Sequence, residues 1–423
     1  MANFWNKVSL IFGDKILRKR IFFTLSALVL FRVLSVIPIS GVDSDKLAQF
    51  FSSNQFFGLL NVFSGGGLAQ LSIVMLGVGP YITASIIMQL LTIMSKRLKE
   101  MYQENGQAGR RRFSQYSRVL TIPLALVQGF SFIKLLQSQQ VLAPLSSFEM
   151  GVNLLIITAG SVLLMWIGEL ITEYGIGNGV SLIIFAGIVA SLPSMLGQLI
   201  FVFEPSQLPL YLASIVIGAI VIYAVVVITE AERPIPVTYA KQVRGNKVYG
   251  GTSTYLPLRI NQAGVIPIIF ALSILLFPQM IFQFMQTAGN ATMQSIATTA
   301  LGLLANMWFY GIAYFLLVFI FTYFYTAVTF DPDGISTNLQ KNGAFIPGVR
   351  PGKSTSDHIA RILTRLTLVG ALFLGLIAVL PIIMSGVTGI TAITIGGTSL
   401  LIVVSVVIDL IKKIEAQVSI REY

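Results

Sequence analysis

The 423-residue sequence has no cysteine and a single histidine, His358. Without thiols there is no disulfide, no thiolate nucleophile and no cysteine-ligated metal, and one histidine in a charged stretch does not make a ligand set. Charge is scarce too: 11% of the residues are Asp, Glu, Lys or Arg, against roughly 25% in a soluble domain. There is no Walker-type phosphate loop, no His/Glu metal pair and no Ser/His/Asp set suited to an intramembrane protease. Catalysis is therefore not expected, no cofactor is called for, and ATP-driven work would need a partner.

Apolar residues fill the space. Hydrophobic side chains make up 55% of the chain and mean hydropathy is +0.82, the composition of a polytopic membrane protein. A span needs about 20 mostly apolar residues. Ten segments qualify, near 20–38, 72–94, 116–136, 152–171, 179–197, 208–229, 263–283, 306–328, 363–383 and 390–411. The N-terminus is basic and partly amphipathic, but the apolar segment behind it is of span length and lacks a small-residue cleavage site, so it is expected to be retained.

Basic residues set the orientation. All but Arg32, Lys46 and Lys134 of the 28 lie in the N-terminus, in the loops after spans 2, 6 and 8, or in the tail. That is one alternating side, so both termini are expected to be cytoplasmic. The net charge of +11 follows from this topology and does not require nucleic acid; direct DNA binding is not expected. Two of the basic loops go beyond topology. Residues 229–259 alternate basic, β-branched and aromatic residues between Pro234, Pro236 and Gly250-Gly251, which suits a projecting hairpin. Residues 331–365 are punctuated by Pro and Gly. Ordered projecting loops imply a cytoplasmic partner.

Ion-coupled transporters and proton pumps carry ionisable groups in mid-membrane. Here Arg32 lies in span 1, while Glu169 and Asp409 lie near span ends. A secondary transporter of a small solute, the alternative function, would need more. The spans instead carry β-branched residues beside small ones: Val78 and Ile82 next to Gly77, Gly79 and Pro80, and Ile184 and Ile188 next to Ala186 and Gly187. Each pair is four apart, on one helical face. Two readings stand: close helix packing around glycine, or an apolar constriction that excludes water and ions by dewetting.

The segments "GPYITASIIMQLL" (79–91), "YGIGNGVSLIIFAGIVA" (174–190), "STYLPLRINQAGVIPIIFA" (253–271), "FIPGVRPG" (345–352) and "GGTSLLIVVSVVID" (396–409) resemble the bacterial SecY family, the channel subunit of the protein-conducting translocon, in family order over essentially the whole chain. The resemblance implies an all-α fold of ten transmembrane helices in two pseudo-twofold-related five-helix halves, 1–204 and 205–423, arranged as a clamshell. The cytoplasmic loops would be about 230–260 and 329–362. Such a protein sits in the bacterial cytoplasmic membrane, passes unfolded secretory polypeptides across it and releases apolar segments sideways into lipid.

The resemblance also implies site residues. The pore ring would be Val78, Ile82, Ile184, Ile188, Ile269 and Ile402, four of them already marked by spacing. Where the family usually has isoleucine this chain has Val78. Thr83, Gln128 and Asn261 match polar positions along the lateral gate, where a buried amide needs a partner. Arg350 matches the arginine at the tip of the loop after span 8 that engages the motor ATPase SecA, and Lys241, Arg244 and Lys247 match residues contacting SecA or the ribosome. Partners implied are SecE, SecG, SecA, the ribosome, signal sequences and the preprotein itself. The stretch about 56–70, with Asn61, Phe63 and the triplet Gly65-Gly66-Gly67, becomes the plug, a segment folding back from the external face beneath the constriction; its glycines give it room to swing.

Overall fold

The computed structural model describes residues 14–39, 64, 66–68, 70–103, 106–138, 141–201, 208–240, 242–244, 247–249, 253–286, 291–388 and 391–419. Asn61, Phe63, Gly65 and Lys241 lie outside this set. Thirteen helices and five short strands appear among the described residues. Ten helices fall on the ten expected spans: α1 (Lys15–Leu34), α2 (Gly79–Met94), α4 (Gly106–Ser138), α5 (Ser147–Tyr174), α6 (Gly179–Phe201), α7 (Leu208–Glu230), α8 (Ile266–Gln286), α10 (Met307–Thr329), α12 (Lys353–Thr388) and α13 (Thr391–Ser419). The other three, α3 (Lys96–Gln103), α9 (Ala291–Ala305) and α11 (Pro332–Lys341), lie in connections. Five of the span helices are long and apolar enough to cross a bilayer by a strict length-and-hydropathy test, and shorter apolar helices cover others. The chain is a multi-pass membrane protein.

Contacts divide the chain into two compact units. The first comprises residues 1–216, 273–310 and 381–423, the second 217–272 and 311–380. They interleave in sequence, a grouping of a different kind from two sequential halves.

In the first unit, helix starts and close approaches are locally encoded. The N-cap Asp14 accepts from the Ile16 N–H at 2.8 Å, satisfying an amide that the first turn of α1 leaves unpaired. Helix α5 opens with a reciprocal capping box: Glu149 N–H donates to Ser146 Oγ at 3.3 Å and Ser146 N–H to Glu149 Oε2 at 2.8 Å. The turn from α5 to α6 is the "YGIGNG" stretch. Its Ile176 N–H donates to Thr24 Oγ1 of α1 at 3.2 Å, and Gly177 adopts φ +91°, a region open to glycine. A Cβ on Gly179 would stand 1.8 Å from the Gly168 carbonyl oxygen, so α6 leaves the turn against α5 only because residue 179 has no side chain.

Span 2 departs from expectation. The sequence marks 72–94, yet α2 begins at Gly79 and residues 71–78 are a chain of turns. Pro80, in the first turn of α2, cannot donate to a preceding turn and disfavours helix just before it; Gly77 at φ +59° and Leu71 at φ +42° complete the break. The irregular backbone is nonetheless paired. Ile73 N–H donates to Ile37 O, Ile39 N–H to Leu71 O and Ser72 N–H to Gly67 O, all at 2.9 Å, while the Met75, Gly77 and Gly79 N–H groups bond to carbonyls of Ser72, Val74 and Leu76. Backbone of this kind at membrane depth needs such internal satisfaction.

The second unit carries a three-stranded antiparallel sheet in the order β4-β1-β5, with β1 Glu232–Tyr239, β4 Ser253–Arg259 and β5 Ala344–Phe345. Strands β1 and β4 pair from Glu232↔Arg259 to Thr238↔Ser253, and β2 (Gln242–Arg244) with β3 (Lys247–Tyr249) forms a two-stranded tip. The hairpin expected from the Pro/Gly-bounded alternation is present. Ile235, Val237, Leu258, Ala344, Ile346 and Ile359 form its buried core, joining the hairpin and the segment around β5 to the start of α12.

Candidate functional site

The aliphatic positions marked by spacing are interior. Val78 is fully buried, Ile184 and Ile188 are each 1% exposed, and Ile82 is 6% exposed. Ile402, in α13, and Ile269, in α8, are likewise buried. Val78 is the N-cap of α2, and its carbonyl accepts the Ile82 N–H at 3.0 Å; the pair sits one turn apart, at the point where irregular chain becomes helix. Within the first unit α6 packs on α13, the helices bearing Ile184, Ile188 and Ile402. No Asp, Glu, Lys, Arg or His is among the buried residues described.

Glycine shapes the surroundings of this turn. A Cβ on Gly160 of α5 would lie 2.1 Å from the Ile73 carbonyl oxygen, so the segment leading to Val78 rests directly on a helix backbone. A Cβ on Gly67 would lie 2.7 Å from Ser72 Oγ. Gly66 adopts φ +82°, with the Arg32 guanidinium 3.4 Å from where a Cβ would be. Arg32 is exposed near the C-terminal end of its helix. It occupies the last turn of α1, where a cation complements the helix dipole, and its Nη1 donates to Ser35 Oγ at 3.3 Å.

Two of the three polar positions expected along a gate make short-range hydrogen bonds. Thr83 Oγ1 donates to the Gly79 carbonyl at 3.0 Å in its own helix. Asn261 is buried, and its Nδ2 donates to the Gly264 carbonyl at 3.2 Å; its Oδ1 finds no partner among the described residues. Gln128 is half-buried. The Asn261 amide makes a short-range bond at the entry to α8, where Gly264 takes φ +61°.

One ion pair escaped the sequence reading. Arg118 of α4 bonds Glu169 of α5, 51 residues away. Sequence offered Glu169 as a span-end carboxylate; only the α4/α5 contact supplies its cation. Asp409 pairs with Lys413 at 2.7 Å, one turn on, an i, i+4 spacing that sequence does display.

On the other unit, Arg350 is exposed on a built platform. Gly348 and Gly352 take φ +83° and +96° on either side of it. Thr355 Oγ1 donates to the Arg350 carbonyl at 2.8 Å, Ser336 Oγ to the Gly352 carbonyl at 2.6 Å, and Ser356 Oγ to the Asp333 carboxylate. Arg244 and Lys247 flank the turn of the β2/β3 tip, paired in register.

The SecY family profile matches residues 72–411. The chain belongs to the SecY family. It is similar to the protein translocase subunit SecY of Mycobacterium tuberculosis, 43% identical over 428 aligned residues and covering 96% of each chain. In fold it resembles a solved SecY structure whose plug domain is described as stabilising the closed state of the translocation channel and maintaining a membrane seal, with TM-score 0.67, 21% identity and coverage of 95% and 92% of the two chains. It also resembles Sec61 in the canine ribosome-channel complex of the endoplasmic reticulum, with TM-score 0.62, 19% identity and the same coverage. The SecY fold is that of a largely helical, multi-pass protein, and the most regular non-helical structure described here is a loop-borne sheet.

Proposed function

We propose that this SecY-family chain is the channel subunit of a bacterial protein translocase, conducting unfolded polypeptides across the membrane and releasing apolar segments sideways. The supporting observation is the set Val78, Ile82, Ile184, Ile188, Ile269 and Ile402, each buried, in a protein with no buried charged side chain among its described residues. A moving polypeptide presents every side-chain type in turn, so a charged or hydrogen-bonding wall would hold some substrates; short aliphatic groups offer no strong site. They also seal by dewetting when no chain is present. The same observation weighs against a solute transporter, whose coupling ion needs an ionisable site in the membrane.

The remaining roles follow from this reading. The two sequential halves, 1–204 and 205–423, part at a lateral gate along which Thr83, Gln128 and Asn261 lie. The plug of about 56–70 rests under the ring, with Gly66 and Gly67 at its return. SecE and SecG complete the complex. Arg350, with Lys241, Arg244 and Lys247, receives SecA or the ribosome, the latter in keeping with the ribosome-bound canine relative.

The decisive experiment replaces Ile402 with Asn in reconstituted vesicles. A polar group in the ring wets it, so ion leak is expected to rise and signal sequences of weakened hydrophobicity to pass. Unchanged conductance together with unchanged signal stringency would remove Ile402 from the pore.

A further inference from the structure

The sheet of the second unit carries Pro234, Pro236 and Pro257 inside its strands. Proline has no N–H and belongs on edge strands or at bulges, yet Pro234 and Pro236 lie in β1, the central strand of the order β4-β1-β5. The register resolves the conflict. Pro234 stands opposite Pro257 across the β1/β4 ladder, and two residues without N–H cannot exchange ladder bonds, so theirs is a non-hydrogen-bonded pair whose backbone groups point away from each other. Two bonds agree with that parity. The Ile260 N–H donates to the Ala231 carbonyl at 3.0 Å on the β4 side of β1, and the Ala240 N–H donates to the Gly343 carbonyl at 2.9 Å on the β5 side. Along β1, odd-numbered positions therefore bond toward β4 and even-numbered ones toward β5.

Strand β5 covers little of that second side. It pairs with Thr238 and Tyr239, and the next two outward positions of β1 are Pro236 and Pro234. On the far edge of the sheet the outward positions of β4 are Ser253, Tyr255, Pro257 and Arg259, so Pro257 interrupts the row of donors there. All three prolines are exposed, while Ile235, Val237 and Leu258 beside them are buried. A proline at an inward position would break the ladder, so outward placement is forced. The presence of proline on both open edges is not forced, because exposed strand positions ordinarily suit Val, Ile, Thr or Tyr.

We propose that Pro234, Pro236 and Pro257 are guards that keep an extended polypeptide in transit from adding itself to this sheet as a further strand. This role depends on the channel reading, in which the loops bearing the sheet stand on the side where unfolded substrate enters. An unfolded chain offers a continuous row of N–H and C=O groups, and an open strand edge pairs with such a row largely through main-chain bonds, whatever the side chains. Capture of that kind would stall a substrate just as a charged pore wall would. Opposite residues 234, 236 and 257 the carbonyls of an incoming strand find no donor, so neither edge offers a complete ladder.

The test uses the full chain in mild detergent with a benzophenone-bearing peptide of about ten residues, a strand's length, alternating Thr and Val, and a Gly/Ser peptide of equal length as background. Wild type is expected to label in the sheet no more than background. Pro257→Val is expected to gain label within residues 253–259, and Pro234→Thr with Pro236→Thr within residues 232–239, by about fivefold for each restored N–H, the factor of one net hydrogen bond. In vesicles the triple variant is expected to slow a preprotein bearing a Thr/Val-rich segment and to pass one bearing a Gly/Ser segment at the wild-type rate. Pro257→Val alone serves if the triple variant does not fold. Equal label in wild type and variants, no gain of label in a folded variant, or equal slowing of both preproteins would overturn the proposal. Labelling needs no transport, so a failure of the channel reading shows itself separately, as wild-type vesicles that move neither preprotein.

Discussion

At the scale of single residues, the positions that matter most are those where a side chain is missing. Gly160 and Gly179 permit backbone-to-backbone approaches that no Cβ could share, at 2.1 and 1.8 Å from carbonyl oxygens. Those oxygens belong to rigid main chain and cannot swing aside, so Gly160→Ala must push residues 73–74 off α5. Overpacking of this kind costs about 1–3 kcal/mol. The variant is expected to unfold at lower temperature in detergent by light-scattering or fluorescence melt, while Gly151→Ala, where no atom lies within 4 Å, is expected to melt as the wild type does. Arg118 and Glu169 teach a complementary lesson. Each is legible as a charge at a span end, but their pairing across 51 residues depends on α4 lying against α5, which no local pattern specifies.

Among the elements, the platform around Arg350 shows how turn chemistry makes a rigid presentation out of a loop. The Pro/Gly punctuation of 331–365 reads as loop, and the structure adds α11, β5 and hydroxyl bonds from Ser336, Thr355 and Ser356 that fasten the segment around Arg350. Asp331, the N-cap of α11, bonds the Asp333 N–H, and Pro332 opens the helix, a short-range start signal. Because the backbone is held by its neighbours and the Arg350 side chain is exposed, Arg350→Glu is expected to leave the melting temperature and assembly with SecE unchanged. SecA-driven preprotein transport, read as protease-protected product in vesicles, is expected to fall at least about tenfold, in line with the 2–5 kcal/mol that losing one partner of a buried charge pair costs. An equal loss of assembly would assign Arg350 to folding. Span 2 makes the converse point. Hydropathy extends it to residue 72, but hydropathy measures where a residue prefers to be and not its backbone conformation; Gly77 and Pro80 decide the latter.

For the whole molecule, the channel reading requires that substrate pass the aliphatic set. The absence of native cysteine makes the test clean. Ile269→Cys, in a chain carrying a stalled substrate with its own single cysteine in transit, is expected to give a disulfide adduct to that substrate under oxidation, whereas a cysteine at Ile215, 69% exposed on α7, is expected to give none. Adducts at both or at neither would displace the conduit from this set.

What the sequence determined by itself was everything governed by local or one-dimensional physics. Hydropathy located ten spans, because burial in lipid is a property of about 20 consecutive residues. The distribution of lysine and arginine oriented them, Pro and Gly bounded the hairpin, and i, i+4 spacing paired Val78 with Ile82. The tertiary structure alone decided what requires two distant segments to meet: the Arg118–Glu169 pair, the seating of Ile73 on Gly160 and the bond from the α5–α6 turn to Thr24. In a membrane the hydrophobic effect places helices in the bilayer and does not choose their neighbours. That choice falls to close packing and to a few polar contacts, which act between residues far apart in sequence and leave no periodic trace along the chain.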